Sequence, residues 1–298
     1  MSPFHGILPA VVTPFDDGER FDAAAFERLL ERLYAQGVHG VYACGSTGEG
    51  LLQSVGQRKQ IAEAAVRCSP KGKQVILHVG ANNTGDAVEL TRHAARIGVH
   101  AVCSLPPAGS YSFAEIRAYY QAIAAVSDVP VLVYYFPEIC PIVSSTEEIL
   151  ELCQIPNVVG LKFTDFDLYK MSILRRHGHV VFNGRDEVLV AGRLMGANGG
   201  IGSFYNLVPE LFLQVYELTE GGRWKEARSV QDRINELIEI VLRFPSIPAI
   251  KAMLAWSGLD CGQCLKPRRV LSATEESQLR TQLSQSSFAE TALPRKAL

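Results

Sequence analysis

The sequence has no excess of charge of either sign. Its 298 residues hold 29 lysines and arginines against 31 aspartates and glutamates, a formal net charge of −2, and the isoelectric point is near 6.4. A nucleic-acid or anionic-membrane partner calls for a basic footprint, and the sequence carries none. No apolar run reaches the ~18 residues of a membrane span. The opening Met1-Ser2-Pro3-Phe4-His5-Gly6 lacks the basic and apolar regions of a secretory signal. The seven cysteines are odd in number and scattered. Cys44, Cys103 and Cys140 lie in or beside apolar runs, where a free thiol behaves as a small hydrophobe. That argues against a disulfide scaffold and for a reducing, cytoplasmic setting. Cys261-Gly262-Gln263-Cys264 is a lone C-x-x-C without a second pair or a histidine at ligand spacing, so neither a metal site nor redox chemistry is expected there. Low-complexity linkers and sequence repeats are also missing.

What the chain does have is alternation. Short apolar runs at 7–13, 40–45, 74–80, 101–105, 131–135, 158–163, 180–183 and 199–203 read as strands. Amphipathic segments at 23–36, 55–68, 84–97, 113–126, 145–153, 168–177, 187–195 and 207–220 read as the helices between them. Phe26, Leu29, Leu30 and Leu33 fall at helical spacing, as do Ile116, Tyr119, Tyr120 and Ile123. Asp22, Ser112 and Ser144 are placed as N-caps, and Gly37, Gly98 and Gly196 stand where helices should stop. Strand–helix alternation with short links predicts a parallel sheet, and eight units predict a closed α/β (β/α)₈ barrel. A doubly wound sheet is the alternative, but Thr13-Pro14-Phe15-Asp16 follows the first strand where a dinucleotide glycine fingerprint would be. After Gly221 three helical patterns at 223–244, 249–257 and 274–285 follow without strands. The expected organisation is therefore a barrel over 1–221, a helical appendage over 222–285 packed on it, and a polar tail over 286–298 that frays.

Within the sixth run, Val158-Val159-Gly160-Leu161-Lys162-Phe163, a lysine interrupts residues suited to a strand buried on both faces. A buried charge is costly, and desolvation favours the neutral amine, a nucleophile that forms Schiff bases with carbonyl substrates. The plain alternative is a lysine at the strand end reaching for water. Thr164 shares its face. Active sites of such barrels lie at the C-terminal ends of the strands. There stand Gly45-Ser46-Thr47-Gly48-Glu49-Gly50, suited to a carboxylate or phosphate, and Tyr134-Tyr135, of which one must face inward. Asn183-Gly184-Arg185-Asp186-Glu187 follows the seventh strand. Its carboxylates could receive polyol hydroxyls, cap the next helix or pair with Arg185. Gly199-Gly200-Ile201-Gly202-Ser203 closes the series, at a position where barrels often bind phosphate.

Thr13-Pro14-Phe15, Gly45–Glu49, Tyr134-x-x-Pro137, Gly160-x-Lys162-x-Thr164 and Gly199–Ser203 occur in order on the expected strands. Together, over residues 6–264, they resemble the dihydrodipicolinate synthase / N-acetylneuraminate lyase family of pyruvate-dependent aldolases. The resemblance implies a homotetramer acting on a small 2-oxo acid, with Schiff-base chemistry and neither metal nor organic cofactor. It implies Lys162 as the Schiff-base lysine and Tyr134 as the proton-relaying tyrosine, with Tyr135 where asparagine is frequent. Ser46 and Thr47 would hold the pyruvyl carboxylate. Thr164, Gly184, Asp186, Glu187 and Ser203 match positions that the lyase branch uses for its sugar-acid substrate.

The synthase branch carries an arginine two residues after the proline of Tyr-x-x-Pro; here Ile139 stands there. Its interface tyrosine after the fourth strand falls at Ala108, with Tyr111 nearby as a substitute. Gly184-x-Asp186-Glu187, Lys162-x-Thr164 and Asp167-x-Tyr169 favour the lyase branch. Phe204 in place of threonine and Glu138-Ile139-Cys140-Pro141 depart from it, which leaves a related 2-keto-3-deoxy sugar acid open as substrate. A non-catalytic 2-oxo-acid-binding protein is the reading of another class, but it has no need of both Lys162 and Tyr134.

Overall fold

A computed structural model describes residues 4–292. Its strands are β1 (Gly6–Pro9), β2 (Gly40–Ala43), β3 (Gln74–His78), β4 (Ala101–Ser104), β5 (Val131–Tyr135), β6 (Val158–Phe163), β7 (Val180–Asn183) and β8 (Gly199–Gly202). The helices that follow them in turn are α1 (Ala23–Ala35), α2 (Val55–Cys68), α3 (Thr84–Ile97), α4 (Phe113–Ala124), α5 (Thr146–Cys153), α6 (Leu168–Arg176), α7 (Leu189–Leu194) and α8 (Pro209–Glu220). Each strand pairs in parallel with its sequence neighbour, and β8 returns to β1. A bridge between Ala10 and Tyr42 joins β1 to β2. The result is a (β/α)₈ barrel, to which α9 (Trp224–Val241), α10 (Ser246–Trp256) and α11 (Ala273–Ser284) are added.

Two apolar layers follow from the period of two along each strand. On β5, Leu132 and Tyr134 point into the barrel with Leu8, Tyr42, Ile76, Phe182 and Ile201. Val131, Val133 and Tyr135 point outward into the layer that the helices cover. That outer layer is continuous with Ile234, Leu237, Ile250 and Leu279 of the added helices.

Helix ends obey local chemistry. The Asp22 carboxylate accepts the Ala25 N–H at 2.9 Å and opens α1, and Gly37 at φ +97° allows the turn that ends it. Helix α5 is capped by Ser145, not by Ser144 as the sequence suggested. Ser145 lies three residues before Glu148, the reciprocal spacing of a capping box, and the Glu148 carboxylate also takes the Ser144 N–H at 3.0 Å. Strand β1 stops at Pro9, short of the expected Thr13. Beyond it the Ala10 and Val11 N–H groups still donate to the Gly202 and Tyr42 carbonyls at 2.9 and 3.0 Å, and the Thr13 hydroxyl donates to the Gly48 carbonyl at 2.7 Å. Residues Asp186–Val188 form a 3₁₀ turn ahead of α7.

Of the segment expected to fray, 286–292 are described. There the Ser287 N–H donates to Glu236 at 3.2 Å and Phe288 is buried. Residues 1–3 and 293–298, with the expectations that fall on them, lie outside the described residues. Among the described residues no helix is long and apolar enough to cross a membrane.

Candidate active site

The register of β5 on β6 sets Tyr134 directly beside Lys162. Both are inward and buried, at 3% exposure each. The lysine Nζ lies 4.2 Å from the centre of the Tyr134 ring and 4.3 Å from that of Tyr42. Tyr135 faces the other way, where its hydroxyl accepts from Lys170 Nζ at 2.9 Å. A cavity of about 650 Å³ opens above the pair at the C-terminal ends of the strands. It is bounded by Ser46, Thr47, Tyr134, Lys162, Thr164, Gly184, Asp186, Glu187 and Ser203. Residues from β2 to β8 are thus brought to one mouth.

The loop after β2 is tied down from several sides. Its Gly50 N–H returns to the Gly45 carbonyl at 3.0 Å, and Thr47 shares a 2.6 Å hydrogen bond with Ser203 at the opposite end of the motif series. Ser46 is half-buried on the cavity wall. Glu49 takes a left-handed backbone at φ +59°, a conformation that costs a non-glycine residue of order 1 kcal/mol unless its surroundings hold it. They do: its fully buried carboxylate meets Lys251 Nζ at 3.1 Å and accepts the Leu265 N–H at 2.8 Å. Lys251 also donates to the Gln263 carbonyl at 2.8 Å. Helix α10 and the chain that follows it thereby lock the loop after β2.

The far wall is built around Asp186. Its Oδ2 accepts the Phe204 N–H at 2.9 Å, and its Oδ1 is buried without a hydrogen-bond partner among the described residues. Glycine is required opposite, because a Cβ at Gly202 would sit 1.7 Å from that oxygen. The Thr164 hydroxyl is likewise buried and without a partner, and a Cβ at Gly184 would fall 2.1 Å from it. Unpaired buried polar groups are costly and are kept where a ligand completes them. Burial, reinforced by the Glu187 carboxylate, pushes the Asp186 carboxyl up to about 7 against the opposing pull of the Phe204 N–H and Lys162.

A carboxyl raised on folding stabilises the fold fully below its unfolded value and loses that contribution as pH rises through the folded value. Wild-type stability should therefore fall between about pH 4 and pH 7, a slope that Asp186→Asn removes. Urea midpoints measured across that window check it, and parallel curves for the two proteins would show that Asp186 does not titrate there.

Arg185 does not pair with Asp186 or Glu187. It forms an ion pair with Glu138, and its guanidinium lies 4.4 Å from the Phe166 ring centre and 5.2 Å from that of Phe136. Ile139 lines the outer wall and is half exposed. Tyr111 is exposed and is not part of the cavity wall. Burial pushes the Cys261 and Cys264 thiols up to about 12, which keeps them protonated and unreactive.

Three features of the site were not drawn from the sequence. One is the Glu49–Lys251 pair, which the lysine inside the apolar run Ala249-Ile250-Lys251-Ala252-Met253-Leu254 signals by the logic applied to Lys162. The second is Tyr42, an aromatic residue inside a strand buried throughout. The third is Arg58, a buried guanidinium that donates to the Gly80 and His78 carbonyls at 2.8 and 2.5 Å. Burial first, then the charges of Arg58 and Lys162, holds His78 well below the usual imidazole range.

Comparison with known proteins places this geometry. The model of the dihydrodipicolinate synthetase family matches residues 3–286. An N-acetylneuraminate lyase of Rhizobium meliloti is 34% identical over 278 residues, covering 92% of this chain and 93% of its own. The wild-type sialic acid aldolase of Ruminococcus gnavus superposes with a TM-score of 0.91 at 29% identity, covering 97% of this chain and 98% of its own. A Clostridium difficile protein, CdNal, solved in complex with mannosamine, superposes with a TM-score of 0.90 at 27% identity, covering 95% and 99%.

Proposed function

The chain belongs to the dihydrodipicolinate synthetase family, and from that premise we propose that it cleaves an N-acetylneuraminate-like or 2-keto-3-deoxy sugar acid, reversibly, to pyruvate and an aldehyde. It is a carbon–carbon lyase of the class I aldolase type. The observation that carries the reading is the pairing of Lys162 with Tyr134 at the floor of a cavity whose lining offers the hydroxyls of Ser46, Thr47, Thr164 and Ser203 and the carboxylates of Asp186 and Glu187.

The neutral Lys162 amine attacks the C2 ketone. A C–N bond forms, the ketone oxygen leaves as water, and the nitrogen retains a proton as an iminium. Ser46 and Thr47 hold the carboxylate, so the carbonyl is presented to the amine at short range. Tyr134 relays the proton of the C4 hydroxyl, accepting it on the phenol oxygen as its own proton passes to solvent, while the C3–C4 bond breaks. Its electrons move into the iminium to give an enamine, and the aldehyde departs. Protonation at C3 and addition of water then release pyruvate and the free lysine. Thr164, Gly184, Asp186, Glu187 and Ser203 face the aldehyde half. The mannosamine held by the Clostridium difficile relative supports a hydroxylated sugar partner that carries no carboxylate. The reading carries with it a homotetramer acting in the cytoplasm, and the exposed aromatic side chains of Phe166 and Tyr169 support association between copies. The helices after residue 221 are read as an appendage that braces the mouth, supported by the Glu49–Lys251 pair.

Carboxylates accept hydrogen bonds from hydroxyls and repel a second carboxylate. A screen of aldehydes with pyruvate is therefore expected to favour N-acetylhexosamines or sugar aldehydes over aspartate semialdehyde. Removing a buried partner of a substrate hydroxyl costs ~1–3 kcal/mol, so Glu187→Gln should lower kcat/KM for such substrates about 5- to 150-fold. Efficient condensation with aspartate semialdehyde, insensitive to Glu187→Gln, would place the protein with the synthases despite Ile139. Arg185 would then be the cation to examine.

A further inference from the structure

Strand β2 stands opposite β6 in the ring of eight, and Tyr42 projects from it across the barrel toward Lys162. Its side chain is completely buried. It meets Tyr134 edge to face at 6.2 Å between ring centres and lies 6.5 Å from His78. Gly45 passes so closely that a Cβ there would sit 2.3 Å from the ring. Tyr42 is therefore fixed in orientation, with Lys162 Nζ 4.3 Å from the centre of its ring.

The lysine nitrogen has an unusual surrounding for a group that must become cationic. Among the described residues no carboxylate oxygen lies within 4.0 Å of it. The nearby imidazole, His78, is held neutral by burial and by the charge of Arg58. Two aromatic rings take the place of a counter-ion. The negative face of an aromatic ring attracts a cation most strongly where water is excluded. A carboxylate in that position would also attract the cation, but it would compete for its proton. A ring face attracts without offering a base.

We propose that Tyr42 is a positioning residue that steadies the cationic Lys162 imine through its ring face rather than its hydroxyl. The inference rests on the reading of Lys162 as the imine-forming residue. Condensation of amine, ketone and a proton gives iminium and water, and the positive charge must persist until the C3–C4 electrons neutralise it as the enamine. Tyr134 shares the contact but also moves a proton, so Tyr42 is the position at which the ring effect can be isolated.

The test replaces Tyr42 with phenylalanine and with phenylalanines carrying one, two and three ring fluorines. These keep the shape of the ring and progressively remove the negative potential of its face. Two rates are read: trapping of pyruvate on Lys162 by borohydride, and turnover of the sugar acid. Tyr42→Phe should remain within about two-fold of wild type, and the fluorinated series should fall in a graded way to about 5- to 30-fold, chiefly in kcat. A flat series with Lys162 still labelled overturns the proposal, as does a large loss in Tyr42→Phe, which would assign the effect to the hydroxyl. Absence of labelling at Lys162 in the wild type would overturn the aldolase reading itself, and this inference with it.

Discussion

Incubation with pyruvate and borohydride should leave a reduced pyruvyl group on Lys162, and Lys162→Arg should abolish both that label and turnover, by at least about 10⁴-fold. The argument is chemical. A guanidinium stays protonated under all ordinary conditions and offers no nucleophilic lone pair, so no imine can form. Arginine keeps the positive charge, so a role limited to charge would survive the substitution. The other buried lysine offers a clean contrast. Lys251 is equally buried, but it is held by Glu49 and the Gln263 carbonyl, and its Nζ lies 4.5 Å from the centre of the Phe15 ring. Peptide mass spectrometry locates the label, and a thermal melt of the variant separates lost chemistry from lost folding. A label on Lys251 would remove the basis of the mechanism.

The second large effect belongs to Tyr134. Tyr134→Phe should keep pyruvate labelling of Lys162 and lose about 10²–10⁴-fold in kcat, the scale of general acid–base catalysis. Phenylalanine preserves what the ring does: the stacked contact with Phe136 at 6.0 Å, the edge contact with Tyr42 and the ring face toward Lys162. Only the proton-carrying oxygen is removed. Imine formation and carbon–carbon cleavage should therefore separate in this variant, which single-turnover kinetics can resolve. Undiminished turnover would make Tyr134 a packing residue and assign the proton to another group.

How far these residues could be read without coordinates depends on the range of the forces involved. Periodicity of two and of 3.6 is written locally, so the eight strand–helix units, the barrel and the added helices were all legible from apolar spacing. The family was legible too, because its motifs sit in order at strand ends. Lys162 stood out because an ammonium inside an apolar run is energetically anomalous, and Lys251 carried the same mark. Alternation along β5 required Tyr134 and Tyr135 to face opposite ways, but which of them faced inward depends on how the strand is seated in the closed ring. Only the packed barrel decided that Tyr134 lies beside Lys162 while Tyr135 meets Lys170 on the outside. The same holds for Arg185, which one of the three local readings paired with the adjacent carboxylates, but which the fold turns toward Glu138 and two aromatic rings. Thr47 and Ser203 are 156 residues apart in sequence and share one hydrogen bond. Asp186 owes its raised carboxyl to burial beneath β8, where Gly202 alone leaves it room. Desolvation and partner choice are properties of the enclosed volume, not of the neighbouring letters, so the sequence determined which groups reach the mouth and the tertiary structure decided what each of them touches there.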